Sequence, residues 1–182
     1  MVLLAARASG MKVVYLKMEF RPDLSDAGGP DSPNWLKHLP LGLGERISAP
    51  QAPDGRVLVE GTWNTAIIPE LTPHPGDIVV SKHRYSGFYG TDLDVVLRGL
   101  GVKHLVFTGA TTSVCVESTL RDAMYRDYTC LLLSDCVAEP IGNDLPRSNH
   151  EATLLVTQLL FGWVTDSNAL LRALAVPPIV AP

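Results

Sequence analysis

Short runs of apolar residues alternate along the chain with segments whose apolar positions recur every three or four residues. The apolar runs are rich in Val, Leu and Ile and are bounded by turn-forming or polar residues, which predicts buried strands. They cover residues 12–17, 77–82, 104–108, 129–133 and, as an edge strand, 163–164. The intervening segments predict helices over residues 1–9, 91 to about 100, 115–126, 148–160 and 168–174. This alternation indicates βαβ units, so we expect a three-layer α/β/α fold with a mainly parallel, Rossmann-like sheet, in one domain spanning residues 1–182.

The interval from residue 19 to about residue 53 shows no sustained period. It is rich in Pro, Gly and Asp, which predicts loops with short helices. Long loops in a compact domain are usually functional, so this interval is expected to help set the size of a pocket. Residues 56–60 predict a short extended piece, and residues 67–71 predict a helical turn. Two capping boxes, Thr91 with Asp94 and Ser148 with Glu151, are expected to begin helices.

Composition and charge exclude several classes of function. The 182 residues are 46% hydrophobic and 19% charged, which is typical of a globular protein able to bury a core. The net charge is −4 without a basic cluster, so nucleic acid is not an expected partner, and no apolar run is long enough for a membrane span. The three cysteines lack paired spacing, which favours a reducing cytoplasm, and the five histidines lack metal-ligand spacing. We expect neither a metal nor another cofactor.

Cys115 is the first candidate for chemistry. The apolar run over residues 104–108 ends at Gly109, small residues form a turn, and a helical pattern begins at the cysteine. A helix N-terminus favours the nucleophilic thiolate, although on position alone a buried cysteine with a packing role is an equal alternative. Lys82 and Glu19 also lie at the ends of strands, and parallel strands end at one edge of a sheet, where ligands bind. We therefore expect Cys115, Lys82 and Glu19 to lie on one rim.

The stretch Thr108-Gly-Ala-Thr-Thr-Ser-Val-Cys-Val-Glu-Ser-Thr-Leu-Arg-Asp122 resembles the nucleophile motif of the isochorismatase-like cysteine hydrolases. Lys82, which closes Val-Val-Ser-Lys, resembles the catalytic lysine of that family, and Ser134-Asp135 also fits. Residues 27–34, 82–88, 104–109 and 161–164 are similar to ureidoacrylate amidohydrolases of pyrimidine breakdown and to biuret hydrolases. The resemblance covers residues 3 to about 174, and it implies hydrolysis of a C–N bond in a small ureido or amide substrate.

The resemblance also implies how the reaction proceeds. Cys115 would attack a carbonyl carbon and form a covalent acyl intermediate, while Lys82 would stabilise charge and assist the thiolate. An Asp ending a first strand would carry the proton in the family. We expect this chain to begin inside the following helix, either at an internal Met of a longer product, which is favoured, or because the base has been lost. The Ala110–Thr111 peptide bond is expected to be cis, with the N–H groups of Thr111 and Cys115 forming an oxyanion hole.

Four residues are candidates for contact with the substrate. Glu19 ends a strand on the expected rim, and Asn34 lies in the long loop. Tyr85 and Phe88 follow Lys82 and are expected at the mouth of the pocket. For Asn34, Tyr85 and Phe88, ordinary packing is at least an equal alternative. The other two cysteines, at positions 130 and 136, are expected to be structural.

Two classes of function remain open at this point. The presence of Cys115 and Lys82 favours an amidohydrolase, whereas the missing Asp favours a catalytically impaired member that binds a small ligand or serves as an oligomer subunit. A redox-active thiol protein is a weaker third alternative, because no Cys-x-x-Cys pair occurs. The resemblance implies a homodimer or homotetramer. The apolar segment 176–182 could pack on a neighbouring copy or form a disordered tail.

Overall fold

A computed structural model describes residues 1–175 of the chain, so the segment 176–182 and its two alternatives lie outside the described residues. The strands are β1 (Val14–Met18), β2 (Arg46–Ala49), β3 (Ala52–Arg56), β4 (Ile78–Lys82), β5 (His104–Ala110), β6 (Thr129–Ala138) and β7 (Trp163–Thr165). The helices are α1 (Val2–Ala8), α2 (Pro33–His38), α3 (Leu93–Gly99), α4 (Glu117–Met124), α5 (Asn149–Val156) and α6 (Ser167–Ala175). Two π-helical turns, Thr112–Val116 and Thr157–Phe161, adjoin α4 and α5. The α/β class is as predicted.

These elements form two compact units, and each is described by itself. Of the described residues, the β5–β7 unit contains 1–13, 85–88 and 92–175, and the β1–β4 unit contains 14–84 and 89–91. The prediction that residues 1–182 form one domain stays a prediction. No helix in residues 1–175 has the length and apolar character that crossing a membrane requires.

The β5–β7 unit is built on a parallel sheet in which β6 lies between β5 and β7. Its core combines the apolar run of β6 with one face of α4. Leu132 and Leu133 are fully buried, as are Leu120 and Ala123, which lie three residues apart on the helix. Gly162 lets the chain enter β7, because a Cβ at this position would lie 2.5 Å from the carbonyl oxygen of Cys130. The parallel pairing expected from the sequence is therefore confirmed in this unit.

Strand β6 is longer than the predicted 129–133. After a register shift it continues to Ala138, which pairs with Ala110 of β5. Ser134 and Asp135 consequently lie inside the strand, where the polar side chains had suggested its end. The Asp135 carboxylate accepts hydrogen bonds from the backbone N–H of Ser167 at 2.8 Å and from its hydroxyl at 2.5 Å. These bonds fix the start of α6.

The β1–β4 unit contains a parallel pair, β1 with β4, and an antiparallel hairpin, β2 with β3. The parallel pair runs in register from Val14 opposite Ile78 to Met18 opposite Lys82. The hairpin was not predicted, because its residues are mostly polar or small and its register shifts between Ile47 and Ala49, which disrupts the alternation. The expected short helix in this interval is α2.

Two predicted helix starts had different outcomes. Ser148 and Glu151 form the expected capping box at the start of α5. The box at Thr91 and Asp94 was wrong, because α3 begins at Leu93 and its N-cap residue, Asp92, makes no side-chain cap. The Asp94 carboxylate instead accepts a 2.8 Å hydrogen bond from the hydroxyl of Tyr128. The Asp94 side chain, which the local pattern assigned to the start of the helix, is therefore hydrogen-bonded to a residue distant in sequence.

Candidate active site

The turn that carries Cys115 joins β5 to α4. The Ala110–Thr111 peptide bond is cis, as predicted. Thr111 has an extended backbone, and its carbonyl oxygen accepts the N–H groups of Val114 at 3.2 Å and Val116 at 3.1 Å. The helical region therefore begins at Thr112, three residues before the predicted start, and Cys115 lies within a π-helical turn. Turns of this kind are frequent at functional sites.

Thr119 fixes the carbonyl group of Cys115. Its hydroxyl donates a 2.7 Å hydrogen bond to the Cys115 carbonyl oxygen and accepts the backbone N–H of Gly87 at 2.9 Å. The neighbouring Ser86 hydroxyl donates to the Asp122 carboxylate. Through these bonds the short segment Tyr85–Phe88 is attached to α4 within the β5–β7 unit.

Glu139 and His150 contact the turn from the chain that follows β6. One carboxylate oxygen of Glu139 accepts the backbone N–H of Ser113 at 2.6 Å, and the other accepts that of Ile141 at 3.0 Å. Burial raises the pKa of Glu139. Its hydrogen bonds and the nearby His150 lower the pKa by more than burial raises it, so the net shift is downward. The fully buried Thr112 shares a 3.1 Å hydrogen bond between its hydroxyl and Nδ1 of His150. Two consecutive residues of the turn are thus held by one neighbouring segment.

Lys82 and Glu19 lie together at the carboxyl ends of β4 and β1. Lys82 is only 3% exposed, and its Nζ donates to the carbonyl oxygen of Arg84 at 3.0 Å and lies 3.7 Å from Sδ of Met18. The N–H of Glu19 donates to the carbonyl oxygen of Lys82 at 3.0 Å. The buried Glu19 carboxylate accepts the hydroxyl of Ser81 at 2.5 Å and pairs with Nζ of Lys17 at 2.8 Å. Glu19 thus has partners inside its own unit.

The remaining candidates for substrate contact are placed as follows. The Asn34 amide donates to the carbonyl oxygen of Ala27 at 2.8 Å, which ties the long loop to α2. Phe88 is buried, with its ring centroid 6.2 Å from that of Tyr128, whereas Tyr85 is exposed. The packing alternative accounts for the contacts of Asn34 and Phe88.

The structure thus brings together two pairs of predicted residues, each within its own unit. Thr111 and Cys115 share the turn after β5, and Glu19 and Lys82 share one edge of the β1–β4 pair. The expectation that Cys115, Lys82 and Glu19 lie on one rim stays a prediction.

The other two cysteines have environments that suppress the thiolate. Cys130 is 1% exposed, and burial raises its pKa to about 11. Burial, followed by the charge of Asp135, also raises the pKa of Cys136. Both effects suit the structural role predicted for these residues.

The sequence alone did not single out Glu139 or Arg84. Glu139 follows β6 directly, so the strand-end argument that selected Lys82 would have found it had the strand been given its full length. Arg84 donates from Nη1 to the carbonyl oxygens of Asp26 at 2.8 Å and His83 at 2.6 Å, and its guanidinium lies 5.3 Å from the Tyr89 ring centroid. Such contacts join segments that are distant in sequence or irregular, so the pattern of apolar and polar residues does not predict them.

Two clefts occur in the β5–β7 unit. The larger, about 510 Å³, is lined by Val137, Glu139, Asn143, Leu145, Ser148, His150 and Glu151. The smaller, about 290 Å³, is lined by Ser113, Glu117, Asn149, Ala152, Thr153 and Val156. Cys115 lines neither cleft. Among residues 1–175, no group of three or more His, Cys, Asp or Glu side chains is placed to hold a metal ion.

Comparison with known proteins gives a consistent result. The Isochorismatase domain family matches residues 1–169. The chain is 46% identical over 173 residues to the ureidoacrylate amidohydrolase RutB of Methylobacterium radiotolerans, covering 95% of this chain and 64% of that protein. It is 44% identical over 164 residues to the same enzyme of Agrobacterium fabrum, covering 90% and 69%. The chain spans about two thirds of the length of these curated relatives.

Solved structures show the same relationship. A cysteine hydrolase from Pseudomonas syringae pv. phaseolicola superposes with a TM-score of 0.78 at 30% identity, covering 95% of this chain and 76% of that one. The N-carbamoylsarcosine amidase from Thermoplasma acidophilum superposes with a TM-score of 0.66 at 30% identity, covering 92% and 79%. The family match, the identities and the shared fold agree, and the chain belongs to the isochorismatase family.

Proposed function

We propose that this protein is a cysteine-dependent amidohydrolase that cleaves a C–N bond in a small ureido or amide substrate. The observation that carries the proposal is the placement of Cys115 in a helical turn directly after β5, in a chain of the isochorismatase family. Relatives named as ureidoacrylate amidohydrolases support the substrate class. The proposed activity is that of the relatives as whole proteins, and this chain spans about two thirds of their length.

In the proposed reaction the Cys115 thiolate attacks the carbonyl carbon of the substrate and forms a C–S bond. The carbonyl electrons move to oxygen, where the N–H groups of Thr111 and Cys115 would stabilise the negative charge. The intermediate then collapses, the C–N bond breaks, and the leaving nitrogen takes up the proton that the Cys115 thiol gave up when it formed the thiolate. Water hydrolyses the resulting thioester and restores the thiol. Lys82, a buried cation, would stabilise the developing charge and favour the thiolate.

Substrate contacts by Glu19, Asn34, Tyr85 and Phe88 are part of this proposal. Arg84 adds a cation two residues after Lys82, with Nη1 engaged by two carbonyl oxygens and no carboxylate of residues 1–175 within ion-pair distance. An anionic ureido acid suits this residue better than a neutral amide, because a guanidinium binds a carboxylate through two parallel hydrogen bonds.

The proposal extends to the setting of the enzyme. A cytoplasmic role in pyrimidine breakdown would follow from a ureidoacrylate-type substrate. Assembly as a homodimer or homotetramer is supported by apolar side chains exposed on the β5–β7 unit, among them Tyr125, Leu159, Leu160 and Trp163.

Ammonia release from a panel of linear amides and ureido acids tests the proposed function. We expect hydrolysis of at least one ureido or amide compound by the wild-type protein and none by Cys115→Ser. Full activity of Cys115→Ser would remove Cys115 as the nucleophile. Binding of these compounds without turnover would instead favour the ligand-binding alternative.

A further inference from the structure

The helical segment that carries Cys115 lacks the usual side-chain cap at its N-terminus. Thr111 occupies the N-cap position of the helical segment that begins at Thr112, yet its side chain makes no cap hydrogen bond. The first N–H groups of a helix have no partner within the helix, and a Ser, Thr, Asp or Asn at the N-cap ordinarily accepts one of them. Here the N–H of Ser113 donates instead to Glu139, which lies 26 residues further along the chain.

Glu139 is well suited to act as a fixed support. It is 5% exposed, and each carboxylate oxygen accepts one backbone N–H, from Ser113 and from Ile141. A hydrogen bond to an ionised acceptor is stronger than one between neutral groups. The downward shift of the Glu139 pKa is in keeping with a carboxylate that stays ionised in this position.

The segment that carries Glu139 is itself held in place. The Asn143 amide donates to the carbonyl oxygen of Glu139, and the Asn149 amide donates to that of Ile141 at 3.0 Å. His150, at the start of α5, meets the hydroxyl of Thr112. The loop between β6 and α5 is therefore held by its own side-chain hydrogen bonds. Glu139 in this loop and His150 at the start of α5 contact Ser113 and Thr112, two consecutive residues of the turn.

We propose that Glu139 is a positioning residue for the nucleophile: its carboxylate holds the N–H of Ser113 and thereby fixes the turn of Thr111–Cys115 that presents the thiol. Glu139 acts through the backbone of the turn, without itself contacting the substrate. The effect on turnover rests on the proposed function. The hydrogen bond between Glu139 and the N–H of Ser113, called here the clamp, is a property of the folded chain and can be measured without a substrate.

Glu139→Gln tests the proposal with little change in volume. Gln has one acceptor oxygen in place of two, so one of the two N–H groups loses its acceptor. The matched control is Glu151→Gln, which makes the same change in the same cleft but at the capping box of α5. Hydrogen exchange followed by mass spectrometry should show faster exchange of the amides of residues 112–116 in Glu139→Gln and wild-type exchange there in Glu151→Gln.

Turnover provides the second readout. With a hydrolysed ureido or amide substrate, kcat of Glu139→Gln should fall by about tenfold to a hundredfold, since small misplacements of a reacting group have effects of this size. KM should stay within about twofold, because binding groups are untouched. Glu139→Asp, which restores both oxygens on a shorter side chain, should recover part of kcat, and Glu151→Gln should retain wild-type kcat.

The two readouts separate the possible failures. Wild-type exchange at residues 112–116 in Glu139→Gln would overturn the clamp, and so would equal exchange in both Gln variants. Faster exchange with kcat unchanged would overturn the positioning role. If the wild-type protein hydrolyses nothing on the panel, the proposed function fails, and the exchange comparison still decides whether Glu139 holds the turn.

Discussion

The hydroxyl of Thr119 donates a 2.7 Å hydrogen bond to the carbonyl oxygen of Cys115, one helical turn earlier, and accepts the N–H of Gly87. Thr119 is 3% exposed, so both bonds are shielded from water. This single side chain links the turn that carries Cys115 to the segment Tyr85–Phe88 within the β5–β7 unit.

Replacing Thr119 with Val should destabilise the protein. Val keeps the branched shape but removes the hydroxyl that accepts the N–H of Gly87 and donates to the carbonyl oxygen of Cys115, and the loss of two buried hydrogen bonds costs about 1–3 kcal/mol. Urea denaturation should show a loss of this size in the free energy of unfolding. Ser118→Ala is the control, because this hydroxyl on the same helix makes no hydrogen bond to residues 1–175 and its loss should change stability by less than about 0.5 kcal/mol. Equal stability of the two variants would contradict this role of Thr119.

Labelling with a small alkylating agent at neutral pH should modify Cys115 first. Burial raises the pKa of Cys130 to about 11 and also raises that of Cys136, so both remain almost entirely protonated thiols under these conditions. Peptide mapping after brief exposure gives the order of modification. Labelling in concentrated urea is the control, since unfolding should make the three cysteines react at similar rates. Comparable labelling of all three in the folded protein would show that Cys115 is not activated.

Glu139 should make stability depend on pH in the acid range. Its pKa in the folded protein lies below the ordinary value of 4.5. A carboxyl with a depressed folded pKa contributes stability above its unfolded pKa, and this contribution is lost as the pH falls through the folded pKa. The Tm should therefore decrease as the pH falls below about 5, and the decrease should be smaller in Glu139→Gln. Glu151→Gln should keep the wild-type dependence, and an identical acid profile for Glu139→Gln and the wild type would contradict the assignment.

Lys82→Met should reduce hydrolysis by about a hundredfold or more, the effect of removing a group that stabilises charge in the transition state. Met retains the length and apolar stem of the buried lysine, so the fold should persist. Initial rates and the Tm, measured together, separate chemistry from stability. The control is Lys103→Met, which removes an exposed lysine and should leave the rate unchanged. Wild-type turnover by Lys82→Met would exclude Lys82 from the reaction.

Local pattern was sufficient to predict the elements that carry the candidate residues. The apolar runs that became β4 and β5 place Lys82 at the end of the first strand and Cys115 in the turn that follows the second. Ser148 caps the start of α5, as its capping box predicts. The contacts around the turn that carries Cys115 could not be predicted in this way. Glu139 is hydrogen-bonded to Ser113, which is 26 residues away in sequence, and Thr119 is hydrogen-bonded to Gly87, which is 32 residues away. Only the folded chain brings these groups together.

Acid quenching during turnover, followed by peptide mass mapping, tests the central claim most directly. A wild-type sample mixed with a hydrolysed ureido or amide substrate should carry the acyl part of that substrate on the peptide containing Cys115, and the adduct should vanish once the substrate is consumed. Cys115→Ser should show neither turnover nor adduct. Continued hydrolysis in the wild type with no acyl group on Cys115, together with an active Cys115→Ser, would contradict a covalent mechanism at this residue.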